Sequence, residues 1–421
     1  MESKTSDTTG FESEVLRLAD QASAGCVDFL RDLVTIPSPS RGERLACERV
    51  QREMEELGYE DVHIDEMGNV LGRLGNGPRV LAIDAHLDTV GITDPHRWKY
   101  DPFRGIVSGG ILYGRGASDQ KGGLAAAIHG LALSRQIGLP EDVTVWVTAT
   151  VSGEECVGLA WEHLIQEEDL HPEVVVIAMP SHLGICRGQR GRMELRLTTI
   201  GVATHGSIPD RGTNAIYRML PVVQALARLH GELEVDHALL GSGSVAVTNI
   251  ASRSAALTAI PDECTIHVDR RVTIGEGRES AMAQITALPE LDAAEATVEL
   301  VDYDQSTWRG LRCVTEKFFP AWETPAESVS VRAAMDCART VLGREPRLHR
   351  SAFSSNGCSI SGRFGIPTVG FGPADEVHSH STNDQIPLAQ LSPAMAFYAL
   401  YPQIYVGQNA STGQESSTIA R

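Results

Sequence analysis

Hydrophobic positions change period twice along the chain. Residues 12–58 place apolar residues at helical spacing in "FESEVLRLADQASAGCVDFLRDLVTI" and again in "SPSRGERLACERVQREMEELG", which predicts two helices. Ser40 followed by Glu43 reads as the cap of the second. Short β-branched runs then take over: "VLAIDAHLDTV", "DVTVWVTATVSGEE", "EVVVIAM" and "GIPTVGFGP". The helical stretch "KGGLAAAIHGLALSRQIG" lies between the first two. Apolar strands alternating with helices predict a layered α/β domain with flanking helices and a mixed sheet. Between about 193 and 305 the strands alternate polar with apolar, as half-exposed strands do. Their order is β-α-β-β-α-β, that of a ferredoxin-like α+β unit. The expected organisation is therefore a catalytic domain in two parts, 1–192 and 306–421, with a lid or dimerisation domain inserted at 193–305. The Ser/Thr/Gly-rich ends, the first ten residues and the C-terminal "NASTGQESSTIAR", are expected to be disordered.

Charge and composition narrow the function. With 55 acidic against 36 basic residues the net charge is −19, which argues against a nucleic-acid partner. No apolar run approaches bilayer length, and "MESKTSDTTGFESE" has neither the basic nor the apolar region of a signal peptide. The eight cysteines form no C-x-x-C pair and read as reduced, buried thiols of a cytoplasmic protein.

The polar residues of interest fall at strand ends, where an α/β sheet places its catalytic groups. His86 and Asp88 close "DAHLDTV", and alternation points both to one face, so Asp88 is placed to orient a metal-bound His86. Asp119 lies in the Gly-rich turn "GRGASDQKGG". Glu154 and Glu155 are adjacent in "TATVSGEECVG", and two neighbouring carboxylates call for a cation or a shared proton. "GPADEVHSHSTNDQI" carries His378 and His380. Each signal has an ordinary structural explanation, as turn residue, helix cap or exposed helix start. Taken together they are the donor inventory of a catalytic zinc site.

"AHLDTV", "GRGASDQKGGLAA", "SGEE", "GVATHGSIPDRGTNAI", "VDRRVT" and "GIPTVGFGP…HSTND" resemble, in order, the signature blocks of the zinc aminoacylase and carboxypeptidase superfamily. Acetylornithine deacetylase, succinyl-diaminopimelate desuccinylase, carboxypeptidase G and related dipeptidases belong to it. "RGQRGRMELRL" and "FSSNGCSISGRFGIPTVGFGP" look closest to its subgroup labelled selenium-metabolism-linked hydrolases. The resemblance covers roughly residues 20–405. It implies that His86 binds one zinc and that Asp119 bridges two, with a cis peptide after Asp119. Glu154 would be the general base, and Glu155 and His380 would bind the second zinc. His380 is preferred to His378 because "HSTND" fits the family's His-x-x-Asn-Glu pattern, with Asp384 in place of Glu. It further implies that His205 stabilises an oxyanion across a homodimer interface and that Arg271, assisted by Asn249, holds a substrate carboxylate.

One position departs from the pattern. A carboxylate followed by Pro and Ser or Thr is expected where this chain has Met179, in "AMPSH". Thioether sulfur is a soft, neutral donor, unsuited to a zinc–carboxylate site. The expectation is one tight zinc site on Asp119, Glu155 and His380, with Mn²⁺ or Co²⁺ as substitutes, and a weak or empty site at His86 unless His182 or Cys186 takes the place of Met179. The expected activity is hydrolysis of a peptide, N-acyl or carbamoyl amide bond in a small carboxylate-bearing substrate. The alternatives are non-hydrolytic amide chemistry on the same fold and a non-catalytic small-ligand binder.

Overall fold

The structure, a computed structural model, describes the backbone from Ser3 to Thr418 and side chains over residues 10–410. It divides into two compact units. One runs up to Gly188 and adds Ser306–Arg312 and the chain from Glu323 on; the other is Gln189–Gln305 with Cys313–Trp322. The second unit thus takes back a short return segment beyond residue 305, because Phe318 and Phe319 pair with Met193 and Arg192.

The first unit is built on a nine-stranded mixed sheet. Arg79–His86 runs parallel to Val143–Thr150 on one side and to Val174–Ile177 on the other, and Thr368–Gly370 extends the parallel set. Val70–Gly75 joins Val143–Thr150 antiparallel. The central strands are buried on both faces, which is why their sequences are continuous apolar runs. Leu71, Ala82, Val175 and Ile177 pack under the helix Leu159–Gln166. The helices Ser3–Thr35, Gly122–Ala132, Val329–Leu342 and Leu391–Thr418 pack against one another. Gly123 lets the second of these approach the sheet closely: a Cβ there would lie 1.8 Å from the Ala178 carbonyl oxygen.

The parallel strands bring His86, Thr150 and the chain after Ile177 to one end of the sheet. The register pairs His86 with Thr150 directly. Among the described residues no helix is long and apolar enough to cross a membrane. All eight cysteines are buried, and none is in a disulfide.

In the second unit the strands order as Ser244–Arg253, Glu263–Val272, Gly191–Ile200, Thr297–Leu300, all antiparallel. That is the ferredoxin-like order. One face buries Leu195, Leu197, Ile266 and Val268 against the helices Ala215–Glu232 and Arg278–Thr286.

Two local expectations are corrected. The described backbone is helical from Ser3 and again up to Thr418, where composition suggests disorder. Extending an existing helix adds a hydrogen bond for each residue fixed, and only nucleation is costly. Met1, Glu2 and residues 419–421 lie outside the described residues. Ser40 and Glu43 do not form a capping box. The helix Arg44–Glu56 starts with Glu43 as its N-cap and no side-chain cap bond. Both side chains are engaged elsewhere.

Candidate metal centre

His86, Asp119 and Glu154 place one donor atom each within 4.8 Å of one another. His86 Nε2 is 3.3 Å from Asp119 Oδ1, and His380 Nε2 is 3.3 Å from Asp119 Oδ2. His380 Nε2 also lies 3.0 Å from Glu154 Oε2. Asp119 thus stands between two imidazoles, and Glu154 shares the second of them.

The electrostatics show how far this group is from neutrality by itself. Burial works against a charged His86, but Asp119 and Asp88 overcome it and hold its proton affinity well above the usual range. Asp119 and Glu154 push His380 up to about 10. Burial disfavours the Asp119 carboxylate, yet His380 and His86 keep it ionised well below the usual range. Imidazole nitrogens facing excess carboxylate oxygen are the donor set that a divalent cation balances, so these residues fit the metal that the sequence implies.

Each donor is held by a second layer. His86 Nδ1 donates to the backbone carbonyl of Asp88 at 3.0 Å, whereas the Asp88 carboxylate is 3.5 Å away. The orienting acceptor is therefore chiefly the main chain of Asp88. Its carboxylate instead accepts from Gly153 N, Glu154 N and Ser40 Oγ. Gln120 Oε1 accepts from His86 N. The Asp119–Gln120 peptide is cis.

Asp384, noticed in the sequence only as a departure from Glu, is fully buried. It accepts from Gly116 N at 2.7 Å, Ser118 N at 2.9 Å, Ser118 Oγ at 2.8 Å and Arg115 Nη1 at 3.1 Å. It fixes the turn that presents Asp119. Lys121, also buried, donates to the carbonyls of Leu33 and Ile36 and ties that turn to the end of the first helix. Burial brings its amine down to about 7. The sequence signal for both was proximity to the motif blocks, with nothing to indicate a partner.

The remaining candidates lie outside this group. Glu155 is not among the donors; its Oε1 accepts from Arg41 at 3.0 Å. Met179 is 3% exposed and packs with Ala82, Trp161, Ile177, Cys186 and Ile360, so it is a core side chain. Cys186 lies in the same core, where burial raises its thiol to about 12. His182 meets Gln390, and His378 meets Gln385. None of these three joins the donor group. In the second unit, His205 is exposed with Nδ1 2.7 Å from Ser207 Oγ. Arg271 forms a two-point pair with Asp269, and Asn249 sits exposed on the edge strand Ser244–Arg253. A second His/Asp/Glu group, Asp65, His163 and Glu168, is also close-set. Asp65 there already accepts from Gly68 N, Asn69 N and Asn69 Nδ2, which accounts for it as a turn residue.

The sequence profile of Peptidase family M20/M25/M40 matches residues 82–403. The chain belongs to this family. As a member of it, the chain is a metallohydrolase acting on amide bonds. An Escherichia coli K12 protein carrying the description "Uncharacterized protein YgeY" is 41% identical over 388 residues, 92% of this chain and 96% of the relative. The succinyl-diaminopimelate desuccinylase of Magnetococcus marinus is 29% identical over 395 residues, 89% and 98% of the two chains. The fold is that of an M20 metallo-carboxypeptidase from Sulfolobus solfataricus (TM-score 0.73, 17% identity, 91% and 98% covered). It is equally that of human carnosine dipeptidase 1 (TM-score 0.72, 17% identity, 94% and 98% covered).

Proposed function

We propose that this M20 hydrolase cleaves the amide bond of a small, carboxylate-bearing substrate with a divalent ion, zinc by its donor set, held by His86, Asp119 and His380 with Glu154 beside them. The convergence of two imidazoles on Asp119 carries the reading. Such an ion polarises a carbonyl and lowers the proton affinity of water. Attack of water on the carbonyl carbon breaks the C–N bond, and a proton of that water ends on the leaving amine. The chain's own part is to hold the donors still: Asp384 and Lys121 set Asp119, and the Asp88 main chain sets His86. Glu154 has two roles open to it, donor to the ion and acceptor of the water's proton.

The specificity residues belong to the second unit. Arg271 is proposed as the holder of the substrate carboxylate, Asn249 as its assistant and His205 as the oxyanion donor. The family resemblance supports these roles, as it supports a homodimer through this unit. The buried cysteines, none of them in a disulfide, support a cytoplasmic enzyme.

The test is a product screen over N-acyl amino acids, dipeptides and N-carbamoyl amino acids, with zinc, manganese or cobalt added to chelator-treated protein. Metal-dependent release of a free amine is expected, with KM raised and kcat little changed in Arg271→Ala. A chain that binds no metal, or turnover indifferent to chelator, refutes the proposal.

A further inference from the structure

The block "FSSNGCSISG" supplies no donor to the metal centre, yet its first residue lies against it. The Phe353 ring is 6.0 Å from the His380 ring and tilted by 36°, within the range of aromatic pairs. Phe353 is 40% exposed, and it is the one exposed aromatic side chain of the first unit among the described residues. A single exposed apolar residue is ordinary on a protein surface. This one differs because the chain holds it still beside the candidate donors.

Two anchors do so. On one side, Glu376 Oε2 accepts from Ser351 Oγ at 3.1 Å and from Ala352 N at 3.3 Å, and Ser351 Oγ accepts from Phe353 N at 3.1 Å. On the other, the buried Asn356 donates through Nδ2 to Asp84 Oδ2 at 2.9 Å and to Thr150 Oγ1 at 3.0 Å, and its Oδ1 accepts from Gly158 N at 2.8 Å. Asp84 and Thr150 belong to the two parallel strands that end at His86 and Thr150. The segment is thus fixed both to the sheet and to the turn Glu376–His378 that leads into His380. That turn presents a second apolar side chain, Val377, 68% exposed. The polar groups around it already have partners: Glu376 meets Ser351, His378 meets Gln385, and Glu155 meets Arg41. A polar substrate group would have to displace one of these. An apolar group displaces only water from Phe353, which is favourable.

We propose that Phe353 is a specificity-determining residue: the substrate carries an apolar, planar group next to the scissile amide bond, and that group packs on Phe353, with Val377 beside it. Phe353 binds and does not take part in the chemistry. The planar group belongs to the acyl half or to the amine half of the substrate. The inference rests on the amide-hydrolysis reading above and names the substrate class that its site takes.

The test compares kcat/KM for matched pairs on the metal-loaded, full-length enzyme. N-benzoylglycine against N-acetylglycine, and phenylalanylglycine against alanylglycine, vary the acyl half. N-acetyl- and N-carbamoyl-phenylalanine against the corresponding alanine compounds vary the amine half. The aromatic member should be preferred by about tenfold or more in one half, the order of discrimination an apolar contact supplies. Phe353→Ala should bring that ratio below about threefold. Phe353→Leu keeps an apolar but non-planar surface and should lower the ratio by about threefold; it decides the matter where Phe353→Ala is inactive on both members. Each ratio is taken within one variant, so a general loss of activity cancels. A wild-type ratio below about threefold in both halves, or a preference that survives the substitution, overturns the proposal. Turnover of none of these compounds with zinc, manganese or cobalt overturns the amide-hydrolysis reading itself, so the two failures are distinguishable.

Discussion

Replacing Asp384 by Asn isolates one acceptor that holds the Asp119 turn. The carboxylate receives Gly116 N, Ser118 N, Ser118 Oγ and Arg115 Nη1. An amide retains one oxygen, so the Ser118 pair can still be served, but its NH₂ then faces the Gly116 N–H and the Arg115 guanidinium. Arg115 is 4% exposed and becomes a buried cation without its partner. Removing one member of a buried ion pair costs about 3–5 kcal/mol, and an unsatisfied buried N–H about 1–3 kcal/mol. Against this, burial pushes the Asp384 carboxyl above its ordinary range even with Ser118, Gly116 and Arg115 pulling it down. The charged form is therefore held at net expense, and a neutral replacement recovers part of that. The lower end applies, about 3 kcal/mol. For a unit of this size that is a fall in Tm of roughly 5 °C. Urea unfolding of the metal-free chain near pH 7, followed by circular dichroism, measures it, and zinc affinity should fall in parallel because Ser118 precedes Asp119. A loss below about 1 kcal/mol refutes the assignment of Asp384 as the keystone of this turn.

Gly153→Ala places a Cβ 2.7 Å from His86 Cβ and 2.9 Å from His86 Cγ. The imidazole must shift, so a stability loss of about 1–3 kcal/mol and weaker zinc binding are expected; unaltered affinity would show that the loop can yield. Glu43 is held up to about 7 by burial first and by Asp88 second. Its folded form binds the proton more tightly than the unfolded chain does, so its contribution is complete below about 4.5 and is lost as pH rises through about 7. Relative to Glu43→Gln, the metal-free wild type should lose about 3 kcal/mol across that window, and parallel pH–stability curves would contradict the assignment. Met179→Glu puts a carboxylate among Ala82, Trp161 and Ile360 and should destabilise the metal-free chain by more than about 2 kcal/mol in chemical denaturation. Wild-type stability would mean that the side chain at 179 does not lie in that core.

Much of this protein was determined by the sequence alone. Runs such as "VLAIDAH" and "VTVWVTAT" read as strands because they are short, apolar and rich in β-branched residues, and both are strands in the fold. The alternating strands after residue 190 likewise imply a sheet with one covered face. These are local, periodic signals, each repeated over several residues. What tertiary structure decided lies in the loops, where no period applies. Adjacency says that Glu154 and Glu155 are neighbours but not which one turns inward. In the fold Glu154 lies beside His380 and Glu155 on Arg41. Ser40 and Glu43 have the spacing of a cap, and the same hydroxyl and carboxylate can serve any nearby polar partner; only the fold brings Asp88 and Ser152 within reach. Asp384 lies 268 residues from the Gly116 N–H it accepts, a separation across which local pattern carries no information.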